Sequence, residues 1–426
     1  VTDSLEAAWE RTDRIFGFVA DHALLARPIP LRQPFLFYVG HLPAFAWNHL
    51  GRGVLRLPSF APDLDALFEA GIDPPDDAEP PRQNDATLWP RLDRVLAYRD
   101  RIRSKLRAAL GEPALAEVLP MVLEHELMHQ ETLLYMLQQL PAEAKRPPAN
   151  LAAWPTAPAV TRMRERVRVS AGTAHLGASP GGFFWDNEQP EYDLHTEAFE
   201  LDSLPVTNRE FREFVSAGCY ADQGLWTQDG WRWLAQTRRA MPHGWSAGAH
   251  DWTVATLFGE VPFADAAEWP ASVSHCEAQA FALWTGARLP NEQEFHRAAY
   301  ATPDGGIRLH PWGDAAPAPE HANLDLHRFH PTPVGSHPLG ASAFGVHEMV
   351  GNGWEWTATP FRPFPGFQPL ERYRRYSADF FDERHFVLLG GSWATDLRLV
   401  RRSFRNWFQP HYPYVFTKFR RVYSDR

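Results

Sequence analysis

Residues 124–148 read Glu124-His125-Glu126-Leu127-Met128-His129-Gln130-Glu131-Thr132-Leu133-Leu134-Tyr135-Met136-Leu137-Gln138-Gln139-Leu140-Pro141-Ala142-Glu143-Ala144-Lys145-Arg146-Pro147-Pro148. Up to Leu140 the apolar residues recur at helical intervals without Gly or Pro, so this segment is expected to be a helix. Beyond it the chain changes character: residues 141–160 hold five prolines among many alanines, which ends the helix and makes a semi-rigid connector. The organisation expected is therefore a first domain over 1–145, a connector over 146–162 and a second domain over 163–426.

Working back from the connector, Gly is sparse and apolar residues fall on stripes, Leu5, Ala8, Trp9, Ile15, Phe16 and Val19 on one, Val95, Ile102, Leu106 and Leu110 on another. The pattern predicts helices near 3–25, 32–50, 90–111 and 113–140, the last opened by Pro113 after the Gly111 stop signal. These four make an antiparallel helix bundle. The stretch 51–89, with Gly71-Ile72-Asp73-Pro74-Pro75 and Glu79-Pro80-Pro81-Arg82, is too long for a turn and reads as a functional loop. Working forward, short alternating runs such as Val167-Arg168-Val169 and Phe199-Glu200-Leu201, with helices at 207–217 and 273–286, predict an irregular α+β domain.

Composition narrows the function. With 42 Lys+Arg against 52 Asp+Glu the formal charge of −10 disfavours nucleic acid or an anionic membrane as partner. No stretch approaches a membrane span, and no secretory leader is visible. The 2 cysteines, Cys219 and Cys276, lie far apart, which excludes a Cys-ligated zinc site and suits the cytoplasm.

The chemistry is carried by histidines. In a helix His125 and His129 stand one turn apart on one face, where both imidazoles can reach one metal ion. Glu126 and Glu131 are placed to orient those rings. A third imidazole, His41, sits in the apolar helical run Phe35-Leu36-Phe37-Tyr38-Val39-Gly40-His41-Leu42, where an imidazole without a partner or metal would be costly. His49, at the polar end of that helix beside Asn48, reads as a surface or capping residue. Three histidines leave half an octahedron for other ligands, which suits non-haem Fe(II) with substrate and O2, although imidazole also suits Zn, Cu and Ni. A different class remains open: His125-Glu126-Leu127-Met128-His129 matches the H-E-x-x-H pattern of zinc peptidases, with Glu126 as general base.

Several motifs carry a resemblance: Leu204-Pro205-Val206-Thr207-Asn208-Arg209-Glu210-Phe211, Ala287-Arg288-Leu289-Pro290-Asn291-Glu292-Gln293-Glu294-Phe295, Pro311-Trp312-Gly313-Asp314, Gly345-Val346-His347-Glu348-Met349-Val350-Gly351-Asn352-Gly353-Trp354-Glu355-Trp356 and Leu389-Gly390-Gly391-Ser392-Trp393. With them the second domain resembles the formylglycine-generating-enzyme fold, which is C-type-lectin-like, and the first resembles a DinB-like four-helix bundle. The combination, covering nearly the whole chain, is similar to the ergothioneine, ovothiol and selenoneine synthase family.

That resemblance implies an iron(II), O2-dependent enzyme that joins a chalcogen to C2 of the imidazole of hercynine, bound between the two domains, with His41, His125 and His129 as iron ligands. Arg405-Asn406-Trp407-Phe408 matches the hercynine-recognition motif, so Asn406 and Trp407 are carried over as contacts to the betaine end; an aromatic face suits a quaternary ammonium. Met128 stands where some relatives have Gln, and Arg82 is a candidate for binding the donor. Formylglycine generation itself uses a late cysteine pair, and no cysteine follows Cys276, which reads as a scaffold residue. Sulfur-transferring relatives have a proton-donating tyrosine before a Pro-Gly-Phe segment, but here Phe364 precedes Pro365-Gly366-Phe367 and cannot donate a proton. Tyr98, Tyr412 and Tyr414 are the candidates to replace it. The tail from Phe404 to Arg420 is most similar to the selenium branch, the selenoneine synthases, with a selenosugar as donor. The alternative is sulfoxide formation from γ-glutamylcysteine or cysteine.

Overall fold

The computed structural model describes residues 2–69, 89–149, 151, 164–179, 181–248 and 251–423. The chain divides into two compact units, 1–152 and 153–426.

The first unit is helical: α1 (Thr2–Phe16), α2 (Phe35–Ala46), α3 (Pro62–Phe68), α4 (Leu92–Arg107) and α5 (Leu119–Gln138). α1 packs on α5, and α2 packs on α3, α4 and α5. All twelve residues of α2 are buried, so its sequence is apolar all round rather than striped. Pro34 sets its start, and beyond the internal Pro43 the helix passes into a π-helical segment, Trp47–Val54. No helix among the described residues is long and apolar enough to cross a membrane.

The observed ends correct the sequence reading. The first helix was expected to reach residue 25 but stops at Phe16, where Gly17 N–H donates to the Asp13 carbonyl and the chain turns extended. Val19 there bridges Lys145, and Ala20 N–H donates to the Ala144 carbonyl at 2.9 Å, so a nonlocal pairing takes residues that share the helical stripe. Pro113 opens only a short 3₁₀ turn, Pro113–Leu115, and α5 starts at Leu119 with a proline in its first turn. The segment expected as loop over 51–89 contains α3, whose Pro62 start and first-turn acids Asp63 and Asp65 are ordinary helix-start chemistry.

Among its described residues the second unit has four small sheets. One has the order β1 (Arg166–Val169), β4 (Phe199–Asp202), β12 (Val422–Tyr423); another pairs β2 (Gly172–Leu176) with β3 (Tyr192–Thr196). A third runs β5 (Trp245–Ala247), β6 (Trp252–Thr256), β7 (Gly259–Pro262). The fourth has the order β10 (Asn406–Phe408), β9 (Phe386–Leu389), β8 (Trp354–Pro360), β11 (Thr417–Lys418), so β10 is an edge strand. The helices are α6 (Asn208–Ser216), α7 (Gln228–Thr237), α8 (Phe263–Ala266), α9 (His275–Trp284) and α10 (Glu292–Tyr300); α8 packs on β6 and β7, α10 on β2, β3 and β8, and α6 on α9. Val169, Leu201, Phe295, Met349, Val387 and Leu389 join β1, β4, α10 and β9 in one core.

Helix caps, one close backbone approach and a buried ion pair hold this scaffold. Thr207 with Glu210, Ser274 with Glu277, and Asn291 with Glu294 are reciprocal capping boxes that start α6, α9 and α10. Gly390, at φ +86°, lies so close to the Met349 carbonyl that a side chain there would collide with it. Glu355 and Arg420 form a fully buried ion pair at 2.5 Å. Cys276 is buried on α9, as a scaffold residue should be.

Candidate metal centre

α2 brings His41, and α5 brings His125 and His129, to one point within the helical unit. One ligand atom from each lies within 4.8 Å of the other two, and all three residues are buried. The Nε2 atoms of His125 and His129 are 3.2 Å apart, as helical positions one turn apart allow.

The state of each ring follows from its surroundings. Burial pushes the His41 imidazole down to about 4, against a smaller upward pull from its backbone hydrogen bond. Burial, with the neighbouring imidazoles, holds His125 and His129 well below the ordinary histidine range. All three are therefore neutral near pH 7, the form that binds metals. His41 Nδ1 lies 2.8 Å from the Phe68 carbonyl oxygen, which only accepts, so the proton is on Nδ1 and Nε2 carries the lone pair. Among the described residues that Nε2 is buried with no hydrogen-bond partner. A buried lone pair beside two further neutral imidazoles fits a divalent metal ion.

Glu126 differs from the sequence reading. It was expected to orient an imidazole, yet its carboxylate accepts a hydrogen bond from the Thr12 hydroxyl on α1 at 2.6 Å. Gln130 points the same way and donates to the Ala8 carbonyl and to Thr12 Oγ1. A step of one residue turns about 100° around a helix, so Glu126 faces α1 while its histidine neighbours face α2. That places it poorly for a general base on a metal-bound water.

His49 also differs. It lies half-buried in the π-helical segment rather than at the surface, its ring 4.3 Å from that of Phe45. Phe45 in turn stacks on His125, with ring centroids 3.5 Å apart. His49 lines the surroundings of the cluster without belonging to it. Met128 is the half-buried member of the same stretch of α5.

The other candidates are spread over both units. Tyr98, on α4, donates its hydroxyl to buried Asp65 at 2.6 Å, and burial plus that carboxylate push its pKa up. Asn406 and Trp407 are half-buried on β10. Trp407 stacks on Phe361 at 4.3 Å and 6°, with the rings of Tyr376 and Phe380 within 5.6 Å. Those three aromatic neighbours had no signal in the sequence, because they come from separate loops and a turn. Phe364 is 4% exposed, packed with Ala174 and Leu176 and covered by the Arg405 guanidinium at 4.1 Å. Its ring meets the phenol of Tyr192, 4.8 Å away between ring centroids, a tyrosine that the sequence reading does not single out. Tyr412 is buried and stacks on Phe408; Tyr414 meets His243 edge-on, and burial raises its pKa. Arg82 lies outside the described residues.

Fold and site together define a two-part chain, a helical unit with a three-histidine cluster ahead of an irregular α+β domain. Residues 152–424 match the family described as Sulfatase-modifying factor enzyme 1-like domain. A hercynine oxygenase of Mycobacterium tuberculosis is 40% identical over 314 residues, which cover 72% of this chain and 72% of that one. A hercynine oxygenase of Mycolicibacterium thermoresistibile is 35% identical over 95% of this chain and 90% of its own. Ergothioneine biosynthesis protein 1 of Neurospora crassa is 28% identical over 97% of this chain and 56% of its own. The chain belongs to the ergothioneine-type family that includes the hercynine oxygenases. It is an oxidative enzyme.

Proposed function

We propose that this enzyme uses iron(II) and O2 to join sulfur to C2 of the hercynine imidazole, with γ-glutamylcysteine or cysteine as donor and a sulfoxide as product. The observation that carries the reading is the convergence of three neutral, buried imidazoles with the His41 Nε2 lone pair turned inward. Imidazoles alone would equally suit zinc. The balance is tipped by relatives named for hercynine oxygenation and by Glu126, which is bonded to Thr12.

His41, His125 and His129 hold the metal, and iron supplies the redox chemistry that lets O2 act as the oxidant. The reaction balances when the C2–H and S–H bonds break, a C–S bond forms, one oxygen atom goes to sulfur and the other leaves as water. Asn406 and Trp407 hold the betaine end, the amide for the carboxylate and the indole face for the trimethylammonium group. The half-buried Trp407 with its aromatic neighbours supports that role. We assign Met128 to recognition of the imidazole end and Arg82 to recognition of the donor. We take the helical unit to be DinB-like and the enzyme to be cytoplasmic, in keeping with two free, buried cysteines.

A second reading is favoured by one feature. Phe364 is a buried ring, not a phenol, at the position where the family resemblance implies a proton-donating tyrosine in sulfur-transferring members. A selenol is a stronger acid than a thiol and needs less help with its proton, so a selenosugar donor, giving selenoneine, fits that position. The deciding experiment offers Fe(II)-loaded protein, hercynine and O2 a mixture of γ-glutamylcysteine, cysteine and a selenosugar, with products weighed by mass spectrometry. A sulfoxide as main product supports the first reading, a selenium-bearing product the second, and no adduct with any donor refutes both.

A further inference from the structure

We propose that α3 is the positioning element of the metal centre: Phe68 fixes the tautomer and orientation of His41, and Asp65, Tyr98 and Gly40 hold α3 at the distance this requires. The inference rests on His41 being a metal ligand and assigns work to four residues that have none in the reading above.

α3 is a short helix, and Phe68 is its last residue. The final carbonyls of a helix have no intrahelical donor, so the Phe68 oxygen is available, and His41 Nδ1–H fills it at 2.8 Å. A ligand imidazole must present one nitrogen without a proton, and a carbonyl on the other nitrogen settles which one. The plane of the ring is set separately, by Phe37 one turn earlier on α2, which stacks on it at 4.9 Å and 19°.

The carbonyl can do this only if α3 stays close to α2. Two devices bring it there. Gly40 precedes His41, and a Cβ at that position would run into the Phe68 ring. The ring has nowhere to go, being fully buried between Phe37 and Tyr98. On the far side Asp65, 2% exposed, accepts the hydroxyls of Ser59 at 2.5 Å and Tyr98 at 2.6 Å, with Arg52 at 4.0 Å. Tyr98 lies on α4, which packs on α2, so the Asp65 bond ties α3 to the same frame that carries His41. A buried carboxylate is an expensive anchor for a mere loop, and here it sits one turn before the carbonyl that meets the ligand. Tyr98 is thereby a positioning residue, its hydroxyl committed to Asp65.

The test uses the full chain labelled with 15N-histidine, first without metal and then titrated with Fe(II) or Co(II) under anaerobic conditions. In the unsubstituted protein, long-range 1H–15N spectra should show His41 as the Nδ1–H tautomer. Tyr98→Phe and Gly40→Ala should each mix the tautomers and weaken metal binding roughly 10- to 100-fold, the usual effect of losing a ligand's outer partner. Melting temperature measured alongside separates this from general damage, and Tyr98→Phe, which deletes one oxygen and keeps the ring, decides if Gly40→Ala does not fold. A folded Tyr98→Phe protein with a pure Nδ1–H His41 and undiminished metal affinity overturns the proposal. If instead His41→Ala binds metal as tightly as the unsubstituted chain, the ligand reading itself fails, whatever the tautomer result.

Discussion

Glu292→Gln should destabilise the second unit more than any surface substitution, because it strands a buried charge. The Arg405 and Glu292 side chains are 2% and 5% exposed and meet through two bonds, Nε to Oε1 at 2.8 Å and Nη2 to Oε2 at 3.1 Å. The guanidinium also donates to the carbonyls of Asn187 and Arg362, and it lies over the Phe361 and Phe364 rings. Removing one partner of such a pair costs about 3–5 kcal/mol. Glutamine keeps one acceptor, so the lower end, about 3 kcal/mol, is expected. At roughly 2–4 °C per kcal/mol for a domain of this size, that lowers Tm by about 6–12 °C. Urea unfolding followed by tryptophan fluorescence gives the free energy directly. The double variant Arg405→Met/Glu292→Leu should lie closer to the unsubstituted protein than Glu292→Gln does, since it leaves no charge behind. A loss below about 1 kcal/mol for Glu292→Gln, the level of an exposed pair, would mean that no buried charge is stranded there.

Three further predictions follow from named groups. Glu126→Gln should leave turnover within about tenfold, because its carboxylate serves Thr12; loss of a general base would cost roughly 10²- to 10⁴-fold in steady-state rate. His296, fully buried on α10, is pushed down to about 3 by burial and by Arg402 and Arg405, so the unfolded chain binds a proton that the folded one does not below pH 6.5. Its contribution to stability is thus complete above pH 6.5 and is lost as pH falls towards its folded value, by about 1.4 kcal/mol per unit; His296→Leu should flatten the fall in unfolding free energy between pH 6.5 and 4.5 by that slope, and an unchanged slope would count against it. Asn291→Ala, which removes the cap of α10, should cost about 1 kcal/mol in the same unfolding assay, and a neutral result would mean that the cap is redundant.

What could be read from the sequence was what local chemistry determines. The spacing of His125 and His129 put both rings on one face, and the apolar run around His41 marked it as a residue in need of a partner. α1 ends before its apolar stripe does because Val19 bridges Lys145, a contact 126 positions away that no stripe announces. α3 had a legible start, Pro62 followed by Asp63 and Asp65, hidden by the proline-rich residues around it. Glu126 stands next to His125 in sequence, yet helical geometry turns it to another face, so adjacency to a ligand does not make it that ligand's partner. The Phe68 carbonyl could not have been found at all, since a backbone atom leaves no mark in the residue types. In the second unit, Thr207 and Asn291 lie in motifs that carry the family resemblance, and the structure gives their physical reason as helix caps; the Ser274 cap of α9 lies outside those motifs.

The proposed function requires three imidazoles to hold one metal ion on which the oxidative chemistry depends. Anaerobic Fe(II) titration of the full chain, beside His41→Ala, His125→Ala and His129→Ala, tests it most directly. One Fe(II) per unsubstituted chain is expected, with loss of tight binding together with turnover of hercynine in each variant that keeps its fold. Full Fe(II) occupancy in a folded His125→Ala or His41→Ala protein would contradict it.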